Sequence, residues 1–265
     1  MSYFRTKDPH HRHTPNTKMN THTPKVLELI YGADPDGDVD WLYRNEVESM
    51  RAAGLNVRLE PSPAATHLLR RGPIVDEEDY PKDSRYLQNA HTYTNHCRID
   101  RWYPLIESLT IPTVFCKQLG ANALKRICAQ GWSRCFVKNA VKSLVEKDPL
   151  ESAWPGVSFE TMAEKFSQNP RKGPYALREY YAPERFREEK RYWGMGTRIH
   201  HSSGRTPEIV FEERDRLAEF GGVFYTIDAT PELIVEINSG ESADRKTDNT
   251  AGDFAAWIRE TFGCA

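Results

Sequence analysis

The sequence predicts a mixed fold, in which an open α/β layer is followed by a smaller α+β unit and then by an antiparallel sheet. Three observations carry that prediction. A short apolar run, an amphipathic helical stretch and a second extended run follow one another between residues 26 and 59. Beyond residues 170–174, runs of β-type composition succeed one another with turns between them. The chain then closes on an apolar stripe at helical spacing, Phe254, Trp257, Ile258 and Phe262.

Composition narrows the function classes. The 265 residues carry 36 Lys and Arg against 38 Asp and Glu, a net charge of −2, which removes the strongly basic balance of a general nucleic-acid binder. Polyanion binding would have to be local. Apolar residues make up 38% and charged ones 28%, inside the globular range, and the length suits one large domain or a few small lobes with clefts between them. No run approaches the roughly 20 apolar residues of a membrane helix, and no secretory signal opens the chain, so a cytoplasmic protein without membrane partners is expected. Cys97, Cys116, Cys128, Cys135 and Cys264 form an odd set without a CxxC pair, which argues for reduced thiols. Residues 1–24, with His10, His11, His13 and His22 among prolines, read as a disordered leader.

The elements follow in order. Residues 26–32, VLELIYG, read as a buried strand ending in a glycine turn. Asp40 is placed to cap a helix from Trp41 to Ala53 with Trp41, Val47 and Met50 on one face, ended by Gly54; Val57 and Leu59 resume an extended run. Residues 61–100 read as loop, and Ile99–Leu109 as a short helix; together 25–110 make an N-terminal lobe. A central unit, 111–174, holds a helix over ANALKRICAQGW, a strand over RCFVKN, a loop over 140–157, and a helix capped by Ser158 that carries Phe159, Met162 and Phe166. The C-terminal unit, 175–265, is expected to place five strands in one sheet: YALREYY, KRYWGMG, PEIVFEE, GGVFYTID and ELIVEIN.

The chemistry gathers at the end of the last strand. Glu236 and Asn238 alternate with Val235 and Ile237, so a carboxylate and an amide share one face, and Asp228 closes the preceding strand across a turn. Two carboxylates and an amide oxygen on sheet are a hard-oxygen set suited to magnesium. The same ExN pattern also describes an ordinary exposed sheet face. Lys138 at a strand end, Lys142 and Ser143 in the next loop, and Glu179 with Tyr180 and Tyr181 on a strand each read equally well as solvated charge or packing.

In combination and in this order, FVKNAVKS, ALREYYAPE and EINSGES resemble the motifs of the ATP-grasp superfamily, in particular its divergent small proteins, over roughly residues 25–262. The resemblance implies an N-terminal α/β lobe, a central α+β lobe and a C-terminal antiparallel lobe, with ATP between the last two. It implies that Lys138 reaches the α- and β-phosphates, that Lys142 and Ser143 lie in a phosphate-covering loop, here without glycine, and that Arg98 takes the place of a first phosphate-binding lysine. Glu179, Tyr180 and Tyr181 fall at the adenine side, with Glu184 holding the ribose and Glu188 or Glu189 as alternatives. Arg191 matches the γ-phosphate arginine. Many relatives instead carry an arginine where Thr226 stands, which leaves Arg214 as a second candidate. Asp228, Glu236 and Asn238 match the Mg2+ ligands.

The implied activity is that of an ADP-forming carboxylate–amine ligase working through an acyl phosphate on an amino acid or small peptide. The rival readings are a kinase or tailoring enzyme acting on a non-carboxylate, nucleic-acid or protein substrate, and a nucleotide-binding module without turnover. Arg71, Arg101 and Arg245 are candidates for a substrate carboxylate, since a guanidinium matches its geometry. Residues 140–157 would serve as a lid.

Overall fold

The computed structural model describes residues 26–141, 152–168, 174–202, 205–219, 221–245 and 249–263. The leader 1–24, together with Lys142, Ser143 and most of the expected lid, lies outside the described residues. Three sheets organise the rest.

The first is parallel, in the order β2-β1-β3: β1 (Leu27–Tyr31), β2 (Asn56–Arg58) and β3 (His67–Arg71). Every residue of β1 is buried, as a strand covered on both faces requires. The crossover from β1 to β2 is a 3₁₀ turn, Trp41–Tyr43, running into α1 (Arg44–Ala52). Asp40 caps it by accepting from the Leu42 amide, and Gly54, at φ 79°, ends the helix in the left-handed region. Val47 and Met50 are buried as expected, but Trp41 is 72% exposed. It sits in the 3₁₀ turn, out of phase with the stripe that begins at Arg44.

Residues 61–100, read as loop, contain β3 and α2 (Ala90–Cys97), the latter capped by the Asn89 side chain. α3 (Ile99–Ile106) follows and buries Ile99, Trp102, Tyr103 and Ile106. 

The second sheet is antiparallel, in the order β4-β7-β5-β6: β4 (Thr113–Cys116), β5 (Cys135–Asn139), β6 (Ala153–Trp154) and β7 (Tyr175–Glu179). α4 (Ala121–Ala129) and α5 (Phe159–Ser167) cover one face, where Val137, Leu177, Ile127 and Met162 share a core. β7 was expected in the C-terminal sheet. It pairs with β4 and β5 instead, which carries the chain out of the central sheet at Glu179.

The third sheet has the order β11-β10-β8-β9, all antiparallel: β8 (Lys190–Met195), β9 (Arg198–His200), β10 (Phe224–Ala229) and β11 (Ile234–Ser239). Residues 207–213, expected as a strand, belong to α6 (Glu208–Glu219). Its buried positions are Val210, Glu213 and Leu217, a helical stripe that the sequence conceals by placing a glutamate in it. One face of the sheet puts Tyr192, Tyr225, Ile227 and Ile237 against α3 and α6. The other puts Trp193, Met195 and Phe224 against β1 and α7 (Ala251–Phe262). Past that apolar end the same face turns polar, at Arg191, Asp228 and Glu236.

Candidate functional site

Strand alternation delivers the site residues. On β5, Cys135 and Val137 point into the helix-covered core, so Phe136 and Lys138 point the other way. Phe136 stands opposite Arg178 of β7, which adds a second cation to that face. On the third sheet Asp228 stands opposite Glu236 on one side and Arg191 on the other, so all three side chains share one face. The two polar faces meet across a cavity of about 470 Å³. The connection from β7 to β8 closes one end with Glu179, Tyr180, Tyr181 and Glu189, and Ile111, Phe136, Phe186 and Val235 give it an apolar wall.

The charges are paired tightly. Lys138 is buried, and its Nζ donates to Glu236 Oε1. Arg191 holds Asp228 with two donors, Nε to Oδ1 at 2.7 Å and Nη2 to Oδ2 at 2.6 Å. Its Nη1 donates to the Asp244 carbonyl at 2.7 Å and to the Asp244 carboxylate. Burial disfavours the Arg191 charge, but Asp228 and then Asp244 overcome it and hold the guanidinium protonated above the usual arginine range. Burial likewise favours the neutral form of Glu236; Lys138, with Arg178 and Arg191 behind it, outweighs this and draws the carboxyl down to about 2. Arg178 donates to Val235 O at 2.8 Å and Thr110 Oγ1 at 3.1 Å, and burial pushes it down to about 10.

Of the residues singled out in the sequence, Lys138, Glu179, Tyr180, Tyr181, Arg191, Asp228 and Glu236 line this one cavity. Asn238 lies two residues past Glu236, opposite Thr226, and does not itself line it. Of the three ribose candidates Glu189 lines the cavity, whereas Glu184 and Glu188 are exposed outside it. Arg98 is elsewhere: it pairs with Asp100 at 3.0 Å and lines a separate cavity of about 280 Å³ with Ile74, Thr94 and Cys97. Arg214 lies on α6, paired with Asp215 at 2.7 Å.

The substrate arginines are also redistributed. Arg71 is completely buried, with Nε and Nη2 on Glu46 at 2.7 and 2.8 Å and Nη1 on the carbonyls of Gly240 and Ala243. A substrate carboxylate therefore has no access to it, and the expected role is replaced by one in tying β3 to the segment after β11. Arg245 donates to the Asn249 carbonyl, and Arg101 is exposed on α3. Sequence reasoning passed over Arg178 and Asp244. The signal for Arg178 was present, a cation at an alternate position of an apolar strand; Asp244 offered none.

Among the described residues no group of three His, Cys, Asp or Glu side chains gathers as a metal site, and no helix is long and apolar enough to cross a membrane. The metal donor set expected from the sequence has two carboxylates, and those two, Asp228 and Glu236, are cross-strand neighbours at the cavity, with the amide two pairs along. Hard oxygen donors beside a cation-lined cavity fit magnesium.

No protein-family model and no curated protein matches the chain. Solved structures do. D-cycloserine synthetase DcsG superposes with a TM-score of 0.59 at 13% identity, over 89% of this chain and 99% of the other. A RimK domain ATP-grasp protein from Sphaerobacter thermophilus superposes with a TM-score of 0.54 at 15% identity, over 87% and 98%. The ATP-grasp ligase PsnB, in a complex with minimal precursor, Mg and ADP, gives 0.52 at 11% identity, over 90% and 98%. Nearly the whole length of each neighbour is matched, and this chain has the ATP-grasp fold.

Proposed function

We propose that the chain is an ATP-dependent, ADP-forming carboxylate–amine ligase that acts on an amino acid or small peptide. The observation that carries this reading is the convergence, at one cavity of about 470 Å³, of Lys138, Arg178 and Arg191 with the facing carboxylates Asp228 and Glu236. That volume lies in the usual range for a small-molecule site. The solved neighbours support it: one is a synthetase, and PsnB is a ligase seen with minimal precursor, Mg and ADP.

In this reading the adenine end lies against Glu179, Tyr180 and Tyr181, with Glu189 at the ribose. Lys138 and Arg191 take the phosphate oxygens, Lys138 as a point charge and Arg191 through a planar fork. Asp228, Glu236 and Asn238 would hold Mg2+, which would neutralise charge on the phosphates. The γ-phosphoryl group passes to a substrate carboxylate oxygen and ADP leaves. An amine then attacks the acyl carbon, inorganic phosphate leaves, and the nitrogen sheds a proton to give the amide. The chain supplies no covalent nucleophile; its part is positioning and charge stabilisation. 

The test is incubation with ATP, magnesium, and pairs of amino acids or short peptides, with ADP and product mass measured together. The expected product has the summed mass of two reactants less one water. A stable phosphorylated compound, or phosphate release without any coupled product, would contradict the ligase reading in favour of a kinase or uncoupled module.

A further inference from the structure

Lys138 and Arg191 are already paired before any nucleotide enters the cleft. The two cavity cations placed on the phosphates above both sit on carboxylates: Lys138 on Glu236, and Arg191 on Asp228 and Asp244. Two of those carboxylates are the ones assigned to the metal. Lys138, Arg191 and Asp228 are dry, with side-chain exposures of 4%, 6% and 4%, whereas Glu236 keeps 31% of its side chain exposed. A charge in such surroundings is costly unless it is paired, so Lys138, Arg191 and Asp228 each need a partner at every stage.

Consider the arrivals one at a time. A nucleoside triphosphate without metal brings only negative charge to cations that are already paired. To engage Lys138 and Arg191 it must strand Asp228 and Glu236 beside its own phosphates. A divalent cation without nucleotide has the converse difficulty, since taking both carboxylates strands Lys138 and Arg191. When the two arrive together the pairs exchange. Cations move to phosphate oxygens, carboxylates move to the metal, and no charge is left bare.

We propose that Glu236, Asp228 and Asp244 are specificity-determining counter-ions that make the cleft select the metal complex of the nucleotide over metal-free nucleotide. The proposal rests on the ATP reading above and goes beyond it in two respects. It gives the metal carboxylates an opposing role toward nucleotide lacking metal. It also gives a role to Asp244, which lies outside the metal set, keeps 66% of its side chain exposed, and holds Arg191 through both its carboxylate and its carbonyl. Arg178 donates to neutral oxygens, Val235 O and Thr110 Oγ1, and takes no part in the exchange.

The test is calorimetric titration with AMPPNP, once in EDTA and once in excess magnesium, on the unaltered chain, Glu236→Gln and Asp244→Asn. Here Glu236→Gln releases Lys138 and is expected to bind metal-free AMPPNP about tenfold more tightly than the unaltered chain, with the magnesium gain reduced. Asp244→Asn, whose exposed position leaves folding intact, is expected to tighten metal-free binding about threefold and to keep most of the magnesium gain. If the unaltered chain binds the magnesium complex but neither variant tightens metal-free binding, the counter-ion proposal is wrong and the ATP reading stands. If the unaltered chain binds AMPPNP under neither condition, both fail.

Discussion

Arg71 and Glu46 form the buried pair on which the docking of the parallel sheet against the C-terminal sheet depends. Their side chains are 0% and 3% exposed, and two donors of Arg71 meet two oxygens of Glu46. The guanidinium carbon lies 5.0–5.6 Å from the ring centroids of Trp193, Tyr43 and Phe254, and Nη1 serves the Gly240 and Ala243 carbonyls. Arg71→Met leaves those rings filled by a side chain of similar reach but strands the carboxylate, whose remaining donor is the Tyr31 hydroxyl at 2.8 Å. Removing one partner of a buried pair costs about 3–5 kcal/mol, a large share of the roughly 5–15 kcal/mol that holds a domain folded. Adding Glu46→Gln removes the stranded charge, so the double variant should be at least about 2 kcal/mol more stable than the summed single effects predict. Urea unfolding followed by circular dichroism measures all three variants. A cost below about 1 kcal/mol for Arg71→Met, or simple additivity in the double variant, would show that the pair does not hold the sheets together.

Three further outcomes are expected. Glu213 is fully buried with no hydrogen-bond partner for either oxygen, and burial raises its carboxyl from 4.5 to about 8. Because the folded value lies above the unfolded one, the protonated acid favours folding, and stability should fall as pH rises from about 4.5 to 8. Glu213→Leu should flatten that slope and add on the order of 3 kcal/mol at pH 8, read by melting across a pH series; an unchanged slope would count against it. Gly194→Ala would place a methyl inside the Tyr225 ring directly across the strand pair, and a loss of about 3 kcal/mol is expected on thermal unfolding. Lys138→Met should weaken magnesium–AMPPNP binding about tenfold or more by calorimetry, and an unaltered affinity would remove Lys138 from the site.

What the sequence disclosed depended on whether polar residues obeyed the local period. The hairpin bearing Asp228, Glu236 and Asn238 was readable because apolar residues alternate with Glu236 and Asn238 on β11, and β5 was readable because Lys138 stands at the end of an apolar run. β3 was not, since Arg70 and Arg71 look like surface when the carboxylate that buries Arg71 lies 25 residues away. α2 was missed for a related reason, as its buried face includes Thr92, Asn95 and His96. In α6 the glutamate on the buried stripe disguised a helix as a strand. Arg191 was read as a phosphate arginine, but its pairing with Asp228 across 37 residues of sequence is a property of sheet register, which no local pattern contains.

Photolabelling with 8-azido-ATP and magnesium, followed by peptide mapping, asks directly whether the cavity between the central and C-terminal sheets is the nucleotide site. Label competed by ATP is expected on the segment from Arg178 to Glu189, which carries Tyr180 and Tyr181 at the cavity's end. Label confined to the separate cavity at Ile74–Glu78 and Arg98, or label that ATP does not displace, would contradict the assignment.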